Sequence, residues 1–184
     1  MRKLLVLSLC MLLFACASTS TQEEVASTDI LSDTETILIS NTELHPFSDP
    51  IKQDTFRIKL VGDSLHIAIA TLEIVGHDGR ILYTESFTAN YLLNYDTPLN
   101  PTPGQRDEFI LNRIDTFFDA ENFKMPAITA DMTFDPNYSD QQIWDDIKSD
   151  DASIGFHYLL GKEDGRWLAY SKSQQEVVLY FNCC

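Results

Sequence analysis

The chain ends in Phe181-Asn182-Cys183-Cys184, and its four histidines stand apart at 45, 66, 77 and 157. These are the residue types best suited to chemistry. A pair of thiols can cycle between dithiol and disulfide or hold a soft metal, and neutral imidazole serves as a base or a ligand. A hydrolase or redox enzyme would need folding to bring His66, His157 and Cys183/Cys184 together. Three features weigh against it. No Cys-x-x-Cys is present, no basic residue near the terminal cysteines lowers a thiol pKa, and no two histidines stand at ligand spacing. His66 and His157 fall in strand-like stretches where a hydrogen-bonded structural role is the expectation, and His77 falls in a turn. Packing after the last strand is the expectation for Cys183 and Cys184, with a redox role as the alternative.

A second stretch, "DPNYSDQQIWDD" from Asp135 to Asp146, offers oxygen ligands at Asp135, Asn137 and Ser139, with Asp146 twelfth. This spacing resembles the EF-hand calcium loop. Asp140, however, stands where that loop needs its turning glycine, and Gln142 replaces an apolar residue. A turn leading into a helix capped by Ser139 is the expectation, with weak calcium binding as the alternative. No nucleophile elbow, His-Glu-x-x-His or Gly-rich phosphate loop occurs, so no cofactor is implied.

At the other end of the chain, Arg2 and Lys3 precede the apolar run Leu4–Phe14. A bilayer span needs ~20 apolar residues, so this run fits a secretory signal better. It closes on Leu13-Phe14-Ala15-Cys16, a small residue directly before cysteine. The junction resembles the lipobox of bacterial lipoproteins, with Phe14 departing from the usual small or aliphatic residue. The resemblance implies a signal peptide over 1–15 and a diacylated thioether at Cys16, an anchor that two or three acyl chains make stable. Ala17 occupies the sorting position. It is not the aspartate that would imply inner-membrane retention, so the outer membrane is expected, on either its periplasmic or its surface side.

The chain carries 13 Lys and Arg against 28 Asp and Glu, a formal charge of −15. Loss of residues 1–15 removes Arg2 and Lys3 and no acid, taking the charge to −17. Nucleic-acid binding needs a positive field, so that class is excluded, and membrane attachment falls to the lipid alone. Strong self-repulsion favours a monomer. Residues 16–50 read as a lipid-anchored disordered tether, because "ASTSTQEEVASTDILSD" is polar, acidic and without period. Within it "TILIS" is a candidate short strand.

Residues 51–184 read as one α+β globular domain: an antiparallel sheet in two meander-like halves, covered by one or two helices. Phe56, Ile58 and Leu60 alternate with charged residues; Leu65–Val75 reads as a central strand; "GHDGR" turns the chain into Arg80–Thr88. Thr102-Pro103-Gly104-Gln105 has capping-box spacing, followed by Phe109, Ile110, Ile114, Phe117 and Phe118 on one helix face. A second helix buries Ile143, Trp144 and Ile147, and Ala127–Phe134 is a candidate strand between them. Ile154–Leu160, Trp167–Tyr170 and Glu176–Phe181 complete the sheet, with "GKEDGR" expected to turn as "GHDGR" does. Val177, Leu179 and Phe181 are expected to face inward, which would carry Cys183 to the core side.

The ending "WLAYSKSQQEVVLYFNCC", with the lipobox and acidic tether, resembles small bacterial lipoproteins classed as domains of unknown function. Such families carry no assigned activity, so the resemblance implies a layout and no site residues. The expected function is that of a lipid-anchored envelope protein whose domain binds a small ligand or an envelope protein without catalysis.

Overall fold

Period-two hydrophobicity is concentrated in two stretches of the chain, and each becomes a four-stranded antiparallel meander. The computed structural model describes residues 36–183; Cys10, Cys16, Cys184 and the segment read as a signal peptide lie outside them. The first sheet contains β1 (Ile37–Pro46), β2 (Gln53–Val61), β3 (Ile69–Val75) and β4 (Ile81–Thr88), in that spatial order. Helix α1 (Pro103–Asp115) follows. The second sheet contains β5 (Phe123–Lys124), β6 (Gly155–Leu160), β7 (Asp164–Ser171) and β8 (Glu176–Cys183), with α2 (Gln141–Lys148) inserted between β5 and β6. The result is the expected α+β domain, with two sheets where one sheet in two halves was read.

The main core lies between the sheets. Phe56, Ile58 and Leu60 of β2 and Ala70, Leu72 and Ile74 of β3 face Phe156, Tyr158 and Leu160 of β6, and α1 adds Ile110 and Ile114. Phe56 is fully buried and meets five rings edge-on: His45, Phe47, Phe118, Phe123 and Phe156, at centroid distances of 5.1–5.7 Å. A second apolar cluster covers the opposite face of the second sheet, where Trp144 and Ile147 of α2 meet Ala169, Val178 and Tyr180. The second sheet is therefore buried on both faces, which explains why β8 reads as an almost continuous apolar run.

Several boundaries differ from the sequence reading. The tether expected over 16–50 does not reach residue 50, since β1 pairs with β2 from Ile37↔Val61 to Pro46↔Gln53. Its signal is weak because an edge strand keeps one side in water; of its aliphatic side chains Leu38 and Ile39 pack on the main core, joined by the His45 ring. Leu65–Val75 is not one strand. Leu65–Ile67 forms a 3₁₀ turn, with Ala68 N–H donating to Leu65 O at 3.3 Å, so His66 sits exposed in that turn. Ala127–Phe134 is loop. Its apolar residues fill the second cluster, and Tyr180 OH donates to Ala127 O at 2.8 Å in place of a strand partner.

Caps and turns were partly legible. Thr102 and Gln105 form the full capping box. At α2 the cap is Asp140, not Ser139: its carboxylate accepts from Gln142 N and Ile143 N, a better partner for a helix N-terminus than a neutral hydroxyl. Ser139 Oγ instead donates to Tyr180 O at 2.9 Å. The two similar hairpins turn differently. "GHDGR" places its second glycine, Gly79, at φ +85°, whereas "GKEDGR" places its first, Gly161, at φ +62°, leaving Gly165 inside β7.

A register shift opposite Trp167/Leu168 inserts Tyr180 as an extra residue in β8. Val177 and Leu179 face the main core as expected, but Phe181 packs with the second cluster and Cys183 pairs with Gly165. The strict alternation that would carry Phe181 and Cys183 inward is broken by this bulge.

Truncating Phe56 removes the ring on which five others pack. Phe56→Ala should lower unfolding free energy by about 3–5 kcal/mol, read as a fall in the urea midpoint. An effect below about 1 kcal/mol would contradict the packing described.

Candidate functional site

Two polar constellations stand out, and they are built differently. The first bridges the sheets. Tyr83 and Glu85 lie on β4, Tyr158 on β6, Asp164 and Arg166 on β7, and Asn182 on β8. Tyr158 hydroxyl donates to Glu85 Oε2, and Tyr83 hydroxyl lies 3.3 Å from both. Arg166 Nη1 donates to Glu85 Oε1 at 2.5 Å, while Nε and Nη2 grip Asp164 at 2.9 and 2.8 Å. Asn182 Nδ2 donates to the same aspartate at 2.6 Å. Burial, followed by the nearby charges of Tyr83 and Glu85, pushes the Tyr158 phenol far up. Arg166 holds the Asp164 carboxyl below its ordinary range. Every partner here is matched, so the network ties the sheets together and leaves no group aimed at a ligand.

The second constellation is unmatched. A cleft of about 320 Å³ opens between the loop 93–101 and the start of α1, lined by Pro98, Leu99, Asn100, Arg106 and Lys162 among others. The loop between β6 and β7 supplies Lys162. Gly161 N–H donates to Tyr91 O at 2.5 Å, Tyr95 hydroxyl donates to Glu163 at 3.2 Å, and Lys162 Nζ lies 5.5 Å over the Tyr95 ring. The prolines at 98, 101 and 103 stiffen the opposite wall. On the far side of Pro98 lies a second cleft, lined by Asp96, Gln105, Glu108, Phe109 and Asn112.

Three of the five arginines among the described residues sit beside carboxylates: Arg57 by Glu73 at 3.5 Å, Arg80 by Asp78 at 3.9 Å, and Arg166 as above. Arg106 and Arg113 do not, and the Nε of each is buried without an acceptor among the described residues. Both lie on the face of α1 that carries Ile110, four residues after Arg106 and three before Arg113. Desolvation pushes the Arg113 guanidinium down, with distant Asp96 opposing. The sequence reading passed over both arginines because it followed only the apolar members of that face.

The residues singled out from the sequence do not converge. His66 is exposed in its turn. His157 lies on β6 with its ring 4.3 Å from Trp167, and burial lowers its pKa. Cys183 ends β8 and is disulfide-bonded, not a packed free thiol. The calcium candidates are engaged separately. Asp135 Oδ1 accepts from Asn137 N and Nδ2, Ser139 bonds Tyr180 O, and Asp146 Oδ2 accepts from Ser171 Oγ at 2.6 Å. Among the described residues no group of three His, Cys, Asp or Glu is placed to hold a metal.

The buried phenols carry a pH consequence. An unfolded tyrosine ionises near pH 10, while folded Tyr158 and Tyr83 keep their protons beyond it. Their contribution is complete below that point and declines as pH rises above it. The urea midpoint should fall above about pH 10, and Tyr158→Phe should flatten that fall while costing ~1–2 kcal/mol at neutral pH. A pH profile identical to that of the parent chain would contradict this. Comparison of the chain with protein-family models, curated proteins and solved structures gives no match.

Proposed function

We propose that this chain is a lipid-anchored protein of the bacterial envelope whose folded domain is a non-enzymatic binding module. The observation that carries the anchor is Leu13-Phe14-Ala15-Cys16, preceded by the charged and apolar segments of a secretory signal. Acylated Cys16 would hold the protein at the outer membrane, as Ala17 favours. Read as a tether, the ~20 residues between Cys16 and β1 would give a reach of ~25 Å, enough to lift the domain clear of the lipid head groups.

Two features support binding over hydrolysis or redox catalysis. Of the groups a catalyst would recruit, His66 is exposed in a turn of the first half of the chain, the His157 ring lies against Trp167, and the Cys183 sulfur is held in a disulfide. The stiff-walled cleft at Pro98, by contrast, has the size range of small-ligand sites. With a net charge of −17 once residues 1–15 are removed, the protein would meet its ligand as a monomer and avoid nucleic acid.

The anchor is tested in cells supplied with labelled palmitate. The parent chain should take up label and sediment with outer membranes, whereas Cys16→Ser should lose the label and become soluble. Unlabelled parent chain, or a variant that stays membrane-bound, would overturn the anchor.

A further inference from the structure

We propose that the cleft between the Pro98 loop and α1 binds an oxyanion, the phosphate or carboxylate group of a small molecule, through Arg106 and Lys162. This deepens the binding-module reading and rests on it. The argument begins with the charge balance. Acids outnumber bases 28 to 13, so an arginine on this domain has carboxylates to choose from. Arg57, Arg80 and Arg166 take them. Arg106 is half-buried, and among the described residues its Nε–H has no acceptor and its guanidinium pairs with no carboxylate. Folding has therefore removed part of its hydration without supplying a partner, while its two Nη groups stay unburied and unbonded among the described residues, where an incoming anion would reach them.

Position sets the ligand's chemistry. The same cleft is lined by Lys162 and by no acidic side chain among the described residues. The nearest acids are turned to other uses. Glu163 accepts from Tyr95, and Asp96 and Glu108 line the separate cleft beyond Pro98. Asp107, next to Arg106 on α1, makes no ion pair with it among the described residues, and its own Oδ1 is buried and unbonded. A guanidinium and an ammonium lining one cavity suit a group with two or three charged oxygens, which the guanidinium can take on two parallel hydrogen bonds. The contacts of Gly161 with Tyr91 and of Glu163 with Tyr95 hold the turn that carries Lys162, whose Nζ lies over the Tyr95 ring, so the backbone at this wall is set before any ligand arrives.

The test is calorimetric titration of the full chain in neutral detergent with sodium phosphate and, separately, sodium acetate, at ionic strength held constant with chloride. One saturable site is expected for at least one probe. Arg106→Gln and Lys162→Gln should each weaken it about tenfold, the loss typical of one charge-assisted contact. Arg106→Lys should fall between, and Lys148→Gln, on the last turn of α2, should match the parent. Lys162 lies in a hairpin turn, so its variant decides the matter if Arg106→Gln fails to fold. Unsaturable heats with both probes, or equal weakening by Lys148→Gln, would overturn the proposal. The same preparations are assayed for hydrolysis of p-nitrophenyl acetate. Turnover lost in His157→Gln would overturn the non-enzymatic reading while leaving the titration to judge the anion site by itself.

Discussion

The burial of Phe56 is the contact on which the remaining architecture depends. It sits on β2, yet its five aromatic neighbours come from β1 and the chain after it, the turn after α1, β5 and β6. Edge-to-face geometry suits the opposite charge distributions of ring face and ring edge, which adds direction to an otherwise non-directional hydrophobic force. That direction matters because, among the described residues, the two sheets share no ladder hydrogen bonds: each is complete in itself. What aligns one against the other is ring packing near the β1 and β5 edges and the Glu85–Arg166–Tyr158 network near the β4 and β8 edges. One end is apolar and tolerant of small shifts; the other is polar and intolerant of them. Together they fix the sheets as two pins fix a hinge plate.

Local pattern carried the reading wherever a residue's neighbours in sequence were also its neighbours in space. Alternation in Phe56–Leu60 and the Thr102/Gln105 capping box both fall in that class. The errors came where a distant partner decided. Ala127–Phe134 looks like a strand, but its backbone is claimed by Ser153 and Tyr180. The bulge at Tyr180 reverses the facing of Phe181, and nothing in "VVLYFN" announces it. β1 is concealed by its polar face, although its pairing is the longest among the described strands. The candidate site was half legible: Arg106 interrupts an apolar helix face, as Arg113 does outside the cleft, a pattern visible in the sequence once charged residues on that face are counted as well. Lys162 was not legible, since only the docking of one turn against the 91–95 segment brings it to α1.

The two polar constellations apply the same electrostatics to different ends. Around Glu85, donors and acceptors close on one another, and the low dielectric rewards each match. Around Arg106 the same low dielectric acts on an unmatched donor. A fold with an excess of acids has had every chance to place one there, so leaving the site open separates it from the ordinary surface charges of the domain. The stiffness of the proline-bearing wall keeps that opening from closing on itself.

β8 contributes to both apolar clusters, Val177 and Leu179 to one and Val178 and Tyr180 to the other, and it supplies Asn182 to the inter-sheet network. It is also the last strand in chain order among the described residues. A growing chain therefore cannot close either cluster until this strand has been made. Before that point the first meander can pair its strands but has only part of its covering. The domain's two interiors are thus coupled through one strand: neither is complete without β8, and whatever peels β8 away opens both at once.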